Sequence, residues 1–284
     1  MRLRNTSGIV SLFMFLLLAV SCNNKNNGIV QETNAQTVEN KTEEKSAEPA
    51  KNICPSLSYE QIMIPAKLTD RPEQILKRTG YTVSYNKDMR LPNWVAWHLT
   101  ADNAAGKCKR NGIKFEEDTE VPSPRATHAD YTRSGFDRGH MCPAGDNKWS
   151  ETAMKESFLM TNICPQHPNL NRGDWNEMEN ACRLWAQKYG DLVIVAGPIF
   201  YKGNHKKIGK NKVAVPEAFF KVVLTMEGDK PQAVGFIYKN NEGNRSKDSY
   251  INSIDDVERI TGIDFFPALP DDIENEVETY TNLL

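Results

Sequence analysis

The sequence predicts an α+β fold, a mixed, largely antiparallel central sheet with helices packed on it. Three observations predict it. Strand-length apolar runs recur along the chain without the regular strand–helix–strand rhythm of a parallel sheet. Two neighbouring runs alternate in the manner of a hairpin. One longer stretch instead carries a clear helical period.

In order along the chain, YTVSYNKDMRLPNWVAWHLT places Tyr81, Val83 and Tyr85, then Trp94, Ala96 and His98, in alternation, with Pro92-Asn93 between them. That pattern predicts two strands of a hairpin or meander. In SETAMKESFLMTNICPQ, Ser150 suits an N-cap, so a short helix should lead into a strand over 158–163. In NRGDWNEMENACRLWAQKYG, the residues Trp175, Met178, Cys182, Trp185 and Tyr189 form one apolar stripe, and Gly190 is a natural stop. DLVIVAGPIF, AFFKVVLTM and QAVGFIYK read as strands. SIDDVERITG reads as a short helix with Ser253 at its start and Gly262 at its end.

The chain has 284 residues, 39% hydrophobic and 25% charged, with a formal net charge of -2. No global basic field advertises a polyanion partner, so any phosphate must be bound by a few placed residues. Arg2 and Arg4 followed by GIVSLFMFLLLAV form an export signal too short for a comfortable membrane span. Ser21 before Cys22 predicts a lipoprotein signal over 1–21, with lipid on Cys22 anchoring the protein in the cell envelope; an ordinary secretory signal is the alternative. Residues 22–51 hold almost nothing that could form a core and read as a disordered tether, leaving 52–284 as the folded domain. Export predicts that most of Cys54, Cys108, Cys142, Cys164 and Cys182 pair, with one left over.

The chemistry concentrates in GFDRGHMCPAGDNK, where Asp137, Arg138 and His140 crowd together. Arg138 offers a fork for phosphate. Its charge would also disfavour the imidazolium of His140 and keep the ring able to accept a proton. Gly139 would let a phosphate or water approach closely. A packed histidine beside an Asp137–Arg138 surface pair is the plainer reading. Downstream, TNICPQHPNLNRGDW supplies Asn162, Asn169 and Asn171 just before the amphipathic helix. A carboxamide oxygen there can bind Mg²⁺ when substrate phosphates complete the shell, or it can simply cap the helix. Glu179 follows Asn171 two turns later and could orient metal-bound water. His140 and Cys142 with Cys164 and His167 also suggest a zinc site. A zinc deaminase, however, needs a glutamate two residues after its histidine and a C-x-x-C pair, and the sequence has neither.

Taken together, DRGHMCPAGDNK, FLMTNICPQHPNLNRGDWNEME, VPEAFFKVVL and ITGIDFFPALPDDIENEVE resemble the DNA/RNA non-specific endonucleases of the ββα-metal type, in the family's order over 80–280. The resemblance implies His140 as general base, Asn171 as the protein ligand of a catalytic Mg²⁺ (Mn²⁺ substituting), and Glu179 orienting metal-bound waters. It implies Asn162 and Arg138 as supports, and Arg110, in RNGIKFEED, as the arginine that stabilises the transition state. DNA and RNA would be the substrates, cut without sequence preference to 5′-phosphate products. Cys142 and Cys164 depart from the family pattern. The stretch YKGNHKKIGKNK could add phosphate contacts or be a solvated basic loop. A non-catalytic exported DNA binder of the same fold is the competing reading, and oligomeric state is left open.

Overall fold

A computed structural model describes residues 57–201, 203–227, 230–241, 243–279 and 281. The expected leader, tether, Cys22 and Cys54 lie outside the described residues. Ser58 and Gln61 exchange capping bonds that start α1 (Tyr59–Ile62). Then β1 (Gln74–Lys77), β2 (Thr82–Asn86) and β3 (Leu91–Leu99) run as an antiparallel meander. The β2–β3 turn lies earlier than its proline suggests. Asn86 Oδ1 accepts from the backbone N–H of Asp88 at 3.0 Å and of Met89 at 3.2 Å, closing a turn over 87–90. Pro92 and Asn93 sit inside β3, beside a register shift at Ser84/Tyr85. A bulge of this kind tolerates the missing proline N–H.

After α2 (Ala101–Ala105) the chain reaches β4 (Asp137–His140), α3 (Glu151–Glu156), β5 (Ile163–Gln166), α4 (Pro168–Arg172) and α5 (Asp174–Tyr189). The strand expected over 158–163 begins only at Ile163, because the Asn162 side chain folds back and donates to Ser157 O at 2.8 Å. The remaining strands are β6 (Leu192–Ile199), β7 (Lys207–Ile208), β8 (Val213–Ala214), β9 (Ala218–Thr225), β10 (Gln232–Lys239) and β11 (Ile251–Asn252). Two helices close the chain, α6 (Ile254–Thr261) and α7 (Asp271–Glu278). Helix α6 is capped by Ser253 and ends at Gly262 with φ 67, as its sequence predicts.

Seven strands form one antiparallel sheet in the order β1-β2-β3-β6-β9-β10-β11. Both faces of its centre are covered, which is why β6 and β9 are buried along their whole length. On β9 the pleat sends Phe220, Val222 and Leu224 to the face covered by α6 and α7, and Phe219 and Val223 to the face that also holds Trp175 of α5. Each fully buried side chain of this size is worth about 2 kcal/mol or more of transfer free energy. The β4–β5 pair stands apart from the main sheet as a two-stranded ribbon leading into α4 and α5.

The expected disulfides do not form among the described residues. Cys108, Cys142, Cys164 and Cys182 are all free thiols. Cys142, Cys164 and Cys182 are fully buried in the apolar core and fill volume there as small hydrophobes, their pKa values pushed up by burial.

Candidate functional site

The ribbon, α4 and α5 enclose a cleft of about 790 Å³ whose lining includes Arg110, Arg138, His140, Asn171 and Glu179. Lys109, Lys148, Arg172 and Arg183 also face it, against the carboxylates of Asp137 and Glu179. The neutral overall charge therefore conceals a locally cationic cleft, suited to a polyanion.

His140 lies at the end of β4, paired with Ile163 of β5, and Trp175 Nε1 donates to its backbone carbonyl at 3.1 Å. Two rings cage the imidazole, Phe158 edge-on at 5.0 Å and Phe115 at 5.4 Å. Its Nε2 is buried with no hydrogen-bond partner among the described residues. Burial, assisted by the charge of Arg110, lowers its pKa to about 3. The ring is therefore neutral at pH 7. The sequence predicted a neutral histidine but credited Arg138; the guanidinium that depresses it is Arg110. Arg110 is exposed and makes no ion pair among the described residues, its guanidinium lying 5.5 Å from the centre of the Phe158 ring.

Arg138 turns away from Asp137. Its Nη2 donates to the His128 carbonyl at 2.9 Å, and its guanidinium lies over the rings of Phe115 and Tyr131. Asp137 is held instead by Arg172, through two bonds of 2.8 Å, and by Asn171 Nδ2 at 3.0 Å. These bonds keep the Asp137 carboxyl ionised below its ordinary range, although partial burial opposes them. The crowding in the Asp-Arg-Gly-His tetrad thus fixes Asn171 rather than pairing its own acid and arginine. Gly139 also serves another purpose than expected. A Cβ there would lie 2.2 Å from Gln166 Oε1, so the missing side chain makes room for Gln166 and not for a phosphate.

Asn171 lies at the end of α4, not on α5, and the chain breaks between the two helices at Gly173 (φ -102, ψ -113). Gly173 is the residue at the start of α5, so the capping role for Asn171 does not hold. Glu179 projects from α5 into the cleft, half-buried, its pKa raised by burial to about 7. Behind it lies a buried charge cluster that sequence reasoning missed. Asp146 accepts from Arg183 Nη1 at 2.7 Å and from Trp97 Nε1 at 3.0 Å. Lys221, fully buried on β9, places its ammonium 4.5 Å from the Trp175 ring and 5.2 Å from that of Trp97. Both cations oppose the effect of burial on Glu179.

Asn162 does not line the cleft. Its Oδ1 accepts from Cys142 N at 2.9 Å, and its Nδ2 donates to Cys142 O at 2.9 Å and to Ser157 O at 2.8 Å. It clamps the turn after β4 to the turn before β5, which fixes where His140 stands.

The groups facing the cleft suit a hard divalent cation. Bonding of Asn171 Nδ2 to Asp137 leaves the carboxamide oxygen of Asn171 to accept, and Glu179 adds carboxylate oxygen. Among the described residues, His140, Cys142, Cys164 and His167 do not come together as a metal-binding group, which removes the support for zinc.

Comparison with known proteins gives a consistent answer. The family model described as "DNA/RNA non-specific endonuclease" matches residues 58–272. The mitochondrial nuclease EXOG of Danio rerio is 37% identical over 206 residues, 67% of this chain and 60% of that protein. Nuclease C1 of Cunninghamella echinulata var. echinulata is 38% identical over 209 residues, 68% of this chain and 83% of its own. The EndoG/EndoGI complex, solved to explain EndoG inhibition, contains a chain that superimposes with a TM-score of 0.70 at 28% identity, covering 77% of this chain and 95% of that one. The chain thus spans about 60% of the length of the EXOG relative. With its ribbon, helices and antiparallel sheet, this chain belongs to the DNA/RNA non-specific endonuclease family.

Proposed function

We propose that the protein is a metal-dependent, sugar-non-specific endonuclease that hydrolyses DNA and RNA phosphodiester bonds and leaves 5′-phosphate ends. The observation that carries this reading is His140, a neutral imidazole caged by Phe115 and Phe158 in a cleft lined by cations. His140 accepts the proton of the attacking water as its oxygen bonds to phosphorus, while the bond from phosphorus to the 3′-oxygen breaks and that oxygen leaves with a proton from water. Arg110, exposed and without an ion pair among the described residues, is placed to meet charge that builds on the phosphate as the bond to water forms. Arg138 braces the loop carrying His128 against β4 and keeps the entrance positive.

Asn171 would hold the divalent cation, Mg²⁺ with Mn²⁺ able to replace it, and Glu179 would orient water around it. Bound there, the cation supplies Lewis-acid charge stabilisation to the phosphate. Asp137 and Arg172 keep the Asn171 carboxamide oriented for that task. These groups read phosphate and not base edges, so cleavage is expected to be indifferent to sequence.

The same reading includes export and a lipid on Cys22, with 22–51 tethering the domain to the cell envelope. This part rests on the amino-acid sequence alone. The test of function is degradation of plasmid DNA, single-stranded DNA and RNA in Mg²⁺ and in EDTA, followed by analysis of the new ends. Loss of all three substrates in Mg²⁺ alone, with 5′-phosphates, supports it. Binding of DNA without cutting, across a range of metals, would make the protein a binder.

A further inference from the structure

The segment leading into β7 borders a second groove of about 560 Å³, lined by Tyr201, Lys206, Glu217, Lys239 and Asn240 among others. Tyr201 is 54% exposed, yet its backbone N–H is fixed by Glu217 Oε2 at 3.0 Å. The other oxygen of Glu217 lies 3.1 Å from His205 Nδ1, so the acidic lining residue is already engaged. Lys206 and Lys239 are exposed. The groove is therefore lined by an exposed tyrosine ring and two exposed lysines.

Two sets of contacts tie this groove to the elements of the cleft. Lys206 Nζ sits 4.7 Å from the ring centre of Phe136, the residue that precedes Asp137. Asn240 Nδ2 donates to Pro165 O of β5 at 3.0 Å, and its Oδ1 accepts from His167 N at 2.7 Å. His167 caps α4, the helix that carries Asn171 and Arg172. The groove is thus braced against the same ribbon and helix that build the active cleft.

Resting on the nuclease reading, we infer that this groove is a second nucleic-acid subsite, which takes the single-stranded continuation of the strand being cut. A base stacks on Tyr201, while the adjoining phosphates meet Lys206 and Lys239. An aromatic platform flanked by cations is the chemistry that holds single strands without reading sequence. A duplex keeps its base faces covered and offers none to Tyr201, so the subsite favours unpaired strands.

The experiment measures binding, in EDTA, of the full chain to fluorescein-labelled single strands of two lengths, one of about four and one of about twelve nucleotides, by fluorescence anisotropy. The longer strand is expected to bind about tenfold more tightly, the worth of one stacked base with its neighbouring phosphates. Tyr201→Ala, and separately the pair Lys206→Gln with Lys239→Gln, should erase most of that gain, while Tyr201→Phe keeps it. Unfolding midpoints matching wild type verify that the variants fold. An undiminished gain in both Tyr201→Ala and the double lysine variant overturns the subsite, and so does an equal loss in Tyr201→Phe and Tyr201→Ala. Because no cutting is needed, a wild type that never cuts in Mg²⁺ rejects the nuclease reading separately from this one.

Discussion

Gly139 pairs with Cys164 across the β4–β5 ribbon, and the diagonal neighbour Gln166 crowds it so closely that a Cβ on residue 139 would stand 2.2 Å from Gln166 Oε1 and 2.7 Å from Gln166 Cβ. Gln166 is fully buried, and neither end of its amide has a hydrogen-bond partner among the described residues. The glycine of the tetrad is therefore a packing requirement one residue away from His140.

Gly139→Ala should accordingly destabilise the fold by about 1–3 kcal/mol through overpacking. Adding Gln166→Ala should recover part of that loss, because it removes the obstructing amide. Denaturant melts of the two single variants and the double variant measure the coupling. Strict additivity would mean that the two side chains do not compete for one space.

Asn162→Ala removes a side chain that satisfies the N–H and carbonyl of Cys142 and the carbonyl of Ser157. Leaving buried backbone groups unpaired should cost about 3 kcal/mol. Catalysis should fall in parallel, since the turn that follows His140 loses its clamp. Thermal unfolding and cleavage rates, measured on the same preparation, check both consequences.

The α6–α7 corner should make stability depend on pH. Glu278 has its pKa raised from 4.5 to about 8, by burial first and then by Glu258, Glu274, Asp255 and Asp264. Between those two values the folded chain binds more protons than the unfolded one, so this group lowers stability as pH rises through the window. Glu278→Gln should raise the unfolding midpoint near pH 8 by about 2–4 °C and change little near pH 4. An equal shift at both pH values would point to packing rather than charge.

Nucleic-acid binding by the cleft should weaken with salt despite the net charge of -2. Lys109, Arg110, Arg138, Lys148, Arg172 and Arg183 face it, although several are already engaged by protein groups. Engagement of roughly four phosphates gives a slope of about -4 in log K against log salt for duplex DNA. Titrations in EDTA at several salt concentrations provide the value.

Where side-chain period decides the structure, the sequence is readable. The apolar run AFFKVVLTM and the stripe from Trp175 to Tyr189 carry β9 and α5, and Ser253 and Gly262 bound α6. The Asp-Arg-Gly-His tetrad is also visible as a local pattern, whereas the two-turn spacing from Asn171 to Glu179 assumes one continuous helix and the chain breaks at Gly173 between them. What stays hidden depends on who faces whom. Nothing in the order of residues says that Asp137 bonds Arg172 rather than Arg138, or that Gln166 fills the space beside Gly139. Lys221 does leave a signal, as a cation within an apolar run where the pleat points inward. Its partners on β3 and α5 come from distant parts of the chain and appear only after folding. The cysteine pairing expected from the sequence is absent among the described residues because Cys142, Cys164 and Cys182 are distributed as core packing, a placement that residue order does not reveal.

The most direct test of the account compares cleavage by the wild type and His140→Ala in Mg²⁺, with binding of the same DNA measured in EDTA. The variant is expected to fold and bind like the wild type but to cut at least about 100-fold more slowly, the loss expected for a missing general base. Cutting by His140→Ala at the wild-type rate would contradict it, and the neutral ring caged by Phe115 and Phe158 would then be only a packed histidine.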